Sequence, residues 1–111
     1  MGKKYLRKNE FRMDINPEHF GTRGNPHPAY ITAKCGHKYK ANSITHSRTI
    51  KGVKNYLIDE NPDKRSSDKR KSRISQPFWQ NERQFSKSKL KNFRFSKQSR
   101  SKIKKFNKKF K

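Results

Sequence analysis

The feature that most constrains this sequence is how its charge is distributed. Residues 83–111 contain 13 lysines and arginines and no acidic residue. The whole chain has 31 basic and 8 acidic residues, which gives a formal net charge of +23 at pH 7. Self-repulsion at this charge opposes a compact state unless a polyanion neutralises it. The charge therefore favours a nucleic acid as the partner, with an anionic membrane surface as the second choice.

Apolar residues are too few for a large core. Only 27% of the 111 residues are hydrophobic, against about half in an average soluble domain. Burying so little apolar surface offsets little of the entropy that is lost when a backbone becomes ordered. We therefore expect one small folded nucleus with extended basic arms. No apolar run approaches the ~20 residues of a membrane span, so a transmembrane protein is not expected.

Composition divides the chain into three segments. Residues 1–12 form a basic N-terminal arm, and residues 83–111 form a basic C-terminal extension. Between them, residues 13–82 contain most of the glycine and proline and nearly all the β-branched residues, which indicates a small β domain. Within it, residues 61–75 are polar and charged, with Ile74 as the one apolar residue, and are typical of a linker or surface loop.

Three stretches of the β domain predict short strands. They are Ala29–Ala33, Lys38–Thr45 and Val53–Asp59. Residues 35–37 separate the first two stretches and suit a hairpin turn, because their glycine tolerates a positive φ. The predicted fold is therefore a small, mainly antiparallel β structure, near the minimum size for independent stability.

Apolar residues near the C-terminus recur with the period of a helix. Ile103, Phe106 and Phe110 are spaced i, i+3, i+7, and Leu90 and Phe93 are spaced i, i+3. Lysines occupy the other faces, which is typical of an amphipathic helix. An isolated helix this short is marginal in water. Two interpretations stay open: a helix that forms on binding, which we favour, and a fluctuating coil.

One cysteine and nearby histidines offer metal-binding or nucleophile chemistry. Cys35 lies near His27, His37 and His46. A zinc ribbon needs two close pairs of Cys or His ligands, and the second pair is missing, so we interpret the histidines as surface residues. A nucleophile needs an oriented base and a dry pocket, which this composition does not easily build. We therefore expect no enzyme activity, no cofactor and no small-molecule substrate.

Basic and aromatic residues alternate in the C-terminal extension as in nucleic-acid-binding segments. Lysine and arginine neutralise phosphates and release counterions, while aromatic rings stack on unpaired bases. No motif of a sequence-specific reader is present, and extended arms suit folded RNA. The predicted RNA-binding residues are Arg83, Phe85, Lys87, Lys89, Lys91, Phe93, Arg94, Phe95, Lys97, Arg100, Lys102, Lys104, Lys105, Phe106, Lys108, Lys109 and Phe110.

Short motifs follow one another in an order found in a known family. They are MDINP at 13–17, ITAKCG at 31–36, NSIT at 42–45, LID at 57–59, SRISQPFW at 72–79 and KFNKKF at 105–110. In this order they resemble bacterial-type large-subunit ribosomal protein family thirty-one. The match covers residues 13–110, with insertions at 20–29 and 61–71.

The resemblance implies a zinc-ribbon-like β fold without the metal. The family's four zinc ligands correspond to Ala33, Cys35, Ser72 and Ser75. A neutral serine hydroxyl is a poor zinc ligand, because a ligand must be deprotonated to compete with water. These degenerate positions therefore imply a zinc-free member of the family.

The resemblance also implies a function. It predicts a structural constituent of the large ribosomal subunit that binds rRNA at the central protuberance, beside neighbouring large-subunit proteins. Contact with small-subunit head proteins, in an intersubunit bridge, is a further implied role. A mitochondrial ribosome is our first choice of location, with a plastid or bacterial ribosome as alternatives. The alternative function is a small RNA- or DNA-binding regulator outside the ribosome.

Overall fold

A computed structural model describes residues 10–15, 26–50, 52–65 and 71–110. It shows a mainly antiparallel β structure with a C-terminal helix, as the sequence predicts. The elements in chain order are β1 (Glu10–Asp14), β2 (His27–Cys35), β3 (Lys38–Thr45), β4 (Thr49–Ile50), β5 (Val53–Lys54), β6 (Tyr56–Ile58), β7 (Ser72–Ile74), β8 (Phe78–Asn81), a 3₁₀ turn (Glu82–Gln84) and α1 (Lys97–Asn107).

Strand β3 is the centre of the main sheet. The order is β1-β2-β3-β7-β6, and β8 also pairs with β3. One edge of β3 pairs with β2, while the other edge pairs with β8 near its start and with β7 near its end. β4 and β5 form a separate hairpin. All pairs are antiparallel, so short connections can join them.

Glycines with positive φ occupy two turns. Gly36 has a φ of 61° between β2 and β3, and Gly52 has a φ of 78° between β4 and β5. No atom lies within 4 Å of where a Cβ would be at either position. The backbone conformation, rather than space, therefore selects glycine. The prediction of a hairpin turn at residues 35–37 is confirmed.

The two faces of the sheet are covered by different apolar clusters. Neighbouring residues in a strand point to opposite faces, so Tyr30 and Ile31 belong to different clusters. The helix face buries Phe11, Tyr30, Ile44, Ile58, Ile74, Phe95, Ile103 and Phe106. The opposite face, which we call the closed face, buries Ala29, Ile31, Tyr39, Ala41, Phe78 and Phe85.

The C-terminal extension folds onto the sheet instead of projecting from it. Residues 84–90 run along the edge of β1, where the Leu90 amide donates to the Phe11 carbonyl at 2.7 Å. Further along, the Arg94 amide donates to the Pro62 carbonyl at 2.9 Å. The extension thus covers a strand edge whose backbone groups would otherwise lack partners.

This path corrects the prediction of an extended C-terminal arm. Residues 83–110 supply Phe85, Phe95, Ile103 and Phe106 to the core, and a short sheet with few apolar residues of its own needs them. The predicted N-terminal arm, residues 1–12, lies outside the described residues except for 10–12, which belong to β1.

Two strand predictions also differ from the structure. The predicted strand Val53–Asp59 is interrupted at Asn55, whose buried side chain donates to the Ser47 carbonyl at 3.0 Å and joins the preceding loop to β6. Strand β7 lies inside the predicted linker 61–75, although Ile74 is its one apolar residue. The burial of Ile74, with none of its surface exposed, stabilises a segment that looks polar in sequence. Residues 66–70 of that linker are outside the described ranges.

Candidate nucleic-acid interface

The N-terminus of helix α1 is fixed by a carboxylate from a distant loop. Glu60 accepts hydrogen bonds from the Ser96 amide at 2.8 Å and from the Ser99 hydroxyl. The Lys64 ammonium donates to its other oxygen at 2.8 Å. Ser96 is also the N-cap, and its hydroxyl accepts from the Ser99 amide at 3.2 Å. A carboxylate at the N-terminus of a helix accepts hydrogen bonds from its free amides and interacts favourably with the positive end of the helix dipole.

These contacts hold Glu60 in its charged form. Burial by itself raises the pKa of a carboxyl group, but the hydrogen bonds from Lys64, Ser99 and Ser96 outweigh it and lower the pKa of Glu60 to about 2. The start of the helix is therefore anchored by a charged group at any pH well above 2.

The C-terminal end of α1 is fixed by a buried pair of amides. The side chains of Asn42 and Asn107 donate to each other at 2.8 and 3.0 Å. Asn42 also donates to the Ser75 carbonyl at 2.8 Å. Because all these groups are buried, losing either partner would leave a polar atom without compensation. Anchors at both ends fix which side of the helix faces the sheet.

The cations of α1 and the turn after it lie on two flanks. Ile103 and Phe106 point into the core, and the exposed cations lie on either side of them, as the helical period requires. The groove flank consists of Lys97, Arg100, Lys104 and Lys108, and the outer flank consists of Lys102, Lys105 and Lys109. Both flanks are exposed, but only the first faces a concave surface.

That concave surface is a groove of about 810 Å³ between α1 and the sheet. The lining residues are Tyr30, Thr32, Ala33, Lys40, Lys97, Arg100, Ser101, Ile103, Lys104, Asn107, Lys108 and Phe110. Its floor is apolar and aromatic, its rim carries five cations, and no acidic side chain of the described residues lines it. This combination suits an anionic ligand that also has a flat apolar part.

Arg100, on the rim of the groove, acts electrostatically on Tyr30 in its floor. Burial raises the pKa of Tyr30 to about 12, and the positive charge of Arg100 acts in the opposite direction. Tyr30 is therefore neutral near pH 7 and adds no negative charge to the groove.

An exposed tryptophan lies on the sheet next to Lys40 of the groove. Ala33, Lys40 and Trp79 form a row across β2, β3 and β8, because Lys40 is the register partner of both other residues. Directly opposed side chains lie on one face, about 5 Å apart. Trp79 is 42% exposed, so its indole ring is accessible next to Lys40, which lines the groove.

Glu82 and Asp59 form ion pairs with residues that do not line the groove. Glu82 pairs with Lys34 at 3.2 Å and with His37 at 3.1 Å, and these contacts lower its pKa. Asp59 pairs with Lys71 at 2.7 Å.

No cation on either flank of α1 forms an ion pair with an acid in the described part of the chain. However, the hydrogen bond and charge of Lys71 lower the pKa of Asp59, and the charge of Lys102 on the outer flank acts in the same direction. The groove flank therefore presents the less compensated positive charge.

Five predicted RNA-binding cations precede the helix. They are Arg83, Lys87, Lys89, Lys91 and Arg94, and all are exposed. Their backbone follows β1 and then the loop around Pro62, whereas the helix lies over the sheet. The structure therefore places the predicted cations on two surfaces instead of one continuous strip.

The predicted base-stacking role of several aromatic residues is corrected. The rings of Phe85, Phe95 and Phe106 are buried, and rings that fill the core are not available to a base. Phe93 and Phe110 are partly buried against the same cluster, and only Phe110 reaches the groove. The helical spacing identified apolar residues correctly, but their partner is this chain's own sheet.

Sequence reasoning missed Lys40, Tyr30 and Trp79 as members of this surface. Lys40 and Tyr30 lie in strands far along the chain from the helix, so no local spacing connects them with Lys104. Trp79 belongs to the SRISQPFW motif at 72–79, but only the register of β3 and β8 shows that it lies beside Lys40.

The four positions that align with zinc ligands are not brought together. Cys35 pairs with Lys38 at the start of β3, while the Ser75 hydroxyl accepts from the Ser43 amide near its end. Five residues of a strand span ~17 Å, whereas zinc ligands lie about 2.0–2.3 Å from one ion. Cys35 and Ser75 are therefore too far apart to hold one ion in this fold, and the zinc-free interpretation of Ala33, Cys35, Ser72 and Ser75 stays a prediction.

The described residues contain neither a metal-binding cluster nor a membrane-spanning helix. Among the described residues, no group of three or more His, Cys, Asp or Glu side chains is placed to hold a metal ion. Within the same ranges, no helix has the length and apolar character needed to cross a bilayer. In comparisons with protein families, curated proteins and solved structures, the chain matches none of them.

Proposed function

We propose that this protein is a structural RNA-binding protein of the large ribosomal subunit. The observation that carries the proposal is the set of seven cations on α1 and its following turn, which are fixed on a folded sheet and free of ion pairs within the described residues. Phosphate neutralisation by such cations gives affinity without sequence readout. That is the requirement for a protein that stabilises the folded structure of a large RNA.

The ribosomal part of the proposal rests on the ordered motifs. They align the chain with large-subunit protein family thirty-one, and the family's position implies rRNA of the central protuberance and a contact across the subunit interface. A mitochondrial ribosome is the proposed location. A metal site is not part of the proposal, because the helix is held by Glu60 and by the Asn42–Asn107 pair instead.

Sedimentation of ribosomes from the source cells tests the proposal. The protein, detected by an epitope tag, should migrate with the large subunit at low magnesium and with whole ribosomes at high magnesium. Its absence from the large-subunit fraction would contradict the ribosomal role. Crosslinking that recovers messenger RNA or chromatin but no rRNA would favour the alternative of a regulator outside the ribosome.

A further inference from the structure

We infer that the groove between α1 and the sheet binds a single-stranded segment of RNA, with a base against Trp79 and phosphates on the groove flank. The inference rests on the proposed RNA-binding function and assigns it a site. The sequence predicts RNA-binding residues along the whole C-terminal extension. The proposed site contains only some of these residues, and it also includes residues of β2, β3 and β8.

The charge of the groove selects a polyanion. Lys40 approaches from the sheet, and Arg100, Lys104 and Lys108 approach from the helix, so cations stand on both walls. Within the described ranges, no carboxylate lines the groove and no ion pair neutralises these cations. A chain of phosphates that enters the groove therefore meets positive charge on both sides.

The apolar part of the groove selects a base. Ile103 and Phe110 supply apolar surface on the helix side, and the exposed ring of Trp79 lies beside Lys40. Every base has a flat face that can stack on an aromatic ring, whatever its sequence. The volume of about 810 Å³ is within the range of about 300–1,000 Å³ that is usual for ligand sites.

The same features disfavour a duplex. Bases in a helix are stacked on one another, so their faces are not available to Trp79 or to the floor of the groove. The phosphates of a duplex can contact the outer flank without entering the groove, because Lys102, Lys105 and Lys109 are exposed and do not line it. The groove thus fits a loop, a bulge or a strand end.

The chain carries its own reporter for this site. It contains one tryptophan, so intrinsic tryptophan emission reports only on Trp79. Titration with a fluorescein-labelled oligouridylate of about ten nucleotides, a length within the range of single-strand sites, gives emission and anisotropy from one sample. We expect quenching of Trp79 that follows the anisotropy, and no matching quenching with an RNA hairpin whose loop is minimal.

Two double substitutions on one helix provide the matched test. K104Q/K108Q removes two cations from the groove flank, and K102Q/K105Q removes two from the outer flank with the same change in charge. For oligouridylate, we expect the slope of log K against log salt to decrease by about 1.4 in the groove variant, since a single-strand phosphate contact contributes about 0.7. The outer variant should keep most of its slope.

Substitution of Trp79 tests the stacking of a base. Trp79→Ala should weaken binding about tenfold, as for one stacked base, and Trp79→Phe should retain most of the affinity.

The outcomes separate the site from the function. Oligouridylate that binds without quenching Trp79, or that loses equal slope in both double variants, would overturn the groove and leave RNA binding intact. Preference for the hairpin would do the same. If neither RNA binds, both the groove and the proposed function fail. Circular dichroism of each variant shows whether α1 is still folded.

Discussion

The two faces of the sheet use similar residues in opposite ways. On the closed face, the Tyr39 and Phe85 rings meet at 5.5 Å, and the Arg12 guanidinium lies 5.5 Å from the Tyr39 ring. Arg12 also donates to the backbone carbonyls of Ser86 and Lys87 at 2.8 and 2.6 Å. The positive charge of Arg12 is thus engaged in contacts within the protein.

On the helix face, the cations are held beside the core without such contacts. Lys40 and the groove flank surround a cavity, while the rings beneath them belong to the core. The composition alone suggests one basic, aromatic nucleic-acid surface. The difference between the faces teaches that aromatic residues here mainly make the fold. The cations of the groove flank, which form no ion pair within the described residues, are the ones available to a polyanion.

The largest expected effect is the loss of a buried ring on either face. Phe85→Ala and Phe106→Ala should each lower the free energy of unfolding by about 3–5 kcal/mol, because a cavity replaces a packed ring. Urea denaturation followed by circular dichroism measures the change. Trp79→Ala serves as the exposed aromatic control and should change stability by about 0.5 kcal/mol or less. A Phe106→Ala variant with unchanged stability would show that its ring is not a core residue.

The second expected effect belongs to the helix face alone. Asn107→Ala leaves the buried Asn42 amide short of a partner, so it should cost about 1–3 kcal/mol. Adding Asn42→Ala should cost less than the sum of the single changes, because the two side chains bond to each other. A double-mutant cycle in urea measures this coupling. Strict additivity would contradict the reciprocal pair.

The third prediction concerns pH. The pKa of Glu60 falls from 4.5 to about 2 on folding, so its charged form stabilises the fold above pH 4.5, and this contribution is lost as pH falls from there towards 2. Glu60→Gln should cost about 1–2 kcal/mol at pH 7 and should remove that part of the acid dependence. Thermal unfolding between pH 7 and pH 2 compares the two proteins.

Glu82 provides the control from the closed face. Its pKa is also lowered, through His37 and Lys34, so Glu82→Gln should change the acid dependence in the same direction. Because Glu82 caps no helix, its substitution should leave the circular dichroism of α1 unchanged. Equal effects of both substitutions on helix content would contradict the anchoring role of Glu60.

Local patterns in the sequence predicted part of this architecture. The alternation of β3, the Gly36 turn and the helical spacing of Ile103 and Phe106 each depend on neighbours along the chain, and the structure contains all three. Strand β7 was not predictable, because it has one apolar residue and depends on pairing with β3 and β6. The path of residues 84–94 was missed for a similar reason: its backbone bonds are to β1 and to the loop around Pro62.

The candidate site was predictable only in its charges. Lysines with no nearby acid are visible in the sequence, and the helical period even separates them into two flanks. The wall of the groove that faces α1 cannot be read from the sequence, because Lys40 and its neighbour Trp79 are brought together by strand register. The short motifs align Cys35 and Ser75 with two ligands of one metal site, whereas the strand places them at opposite ends.

The smallest expected effect on stability comes from the residues to which we assign the function. K104Q/K108Q removes exposed charges that form no ion pair within the described residues, so the free energy of unfolding should change by about 0.5 kcal/mol or less. At low salt two effects oppose each other. The variant reduces the self-repulsion of a chain with a charge of +23, but it also removes cations that interact favourably with the C-terminal end of the helix dipole. Urea denaturation at low and at high salt measures this, and salt should diminish the difference.

Arg12→Gln is the contrasting change on the closed face. It removes a cation that bonds to the Ser86 and Lys87 carbonyls and to the Glu10 carboxylate, so it should destabilise at both salt concentrations. If K104Q/K108Q destabilised the protein as much as Arg12→Gln, the groove flank would be structural, and the distinction between the two faces would fail.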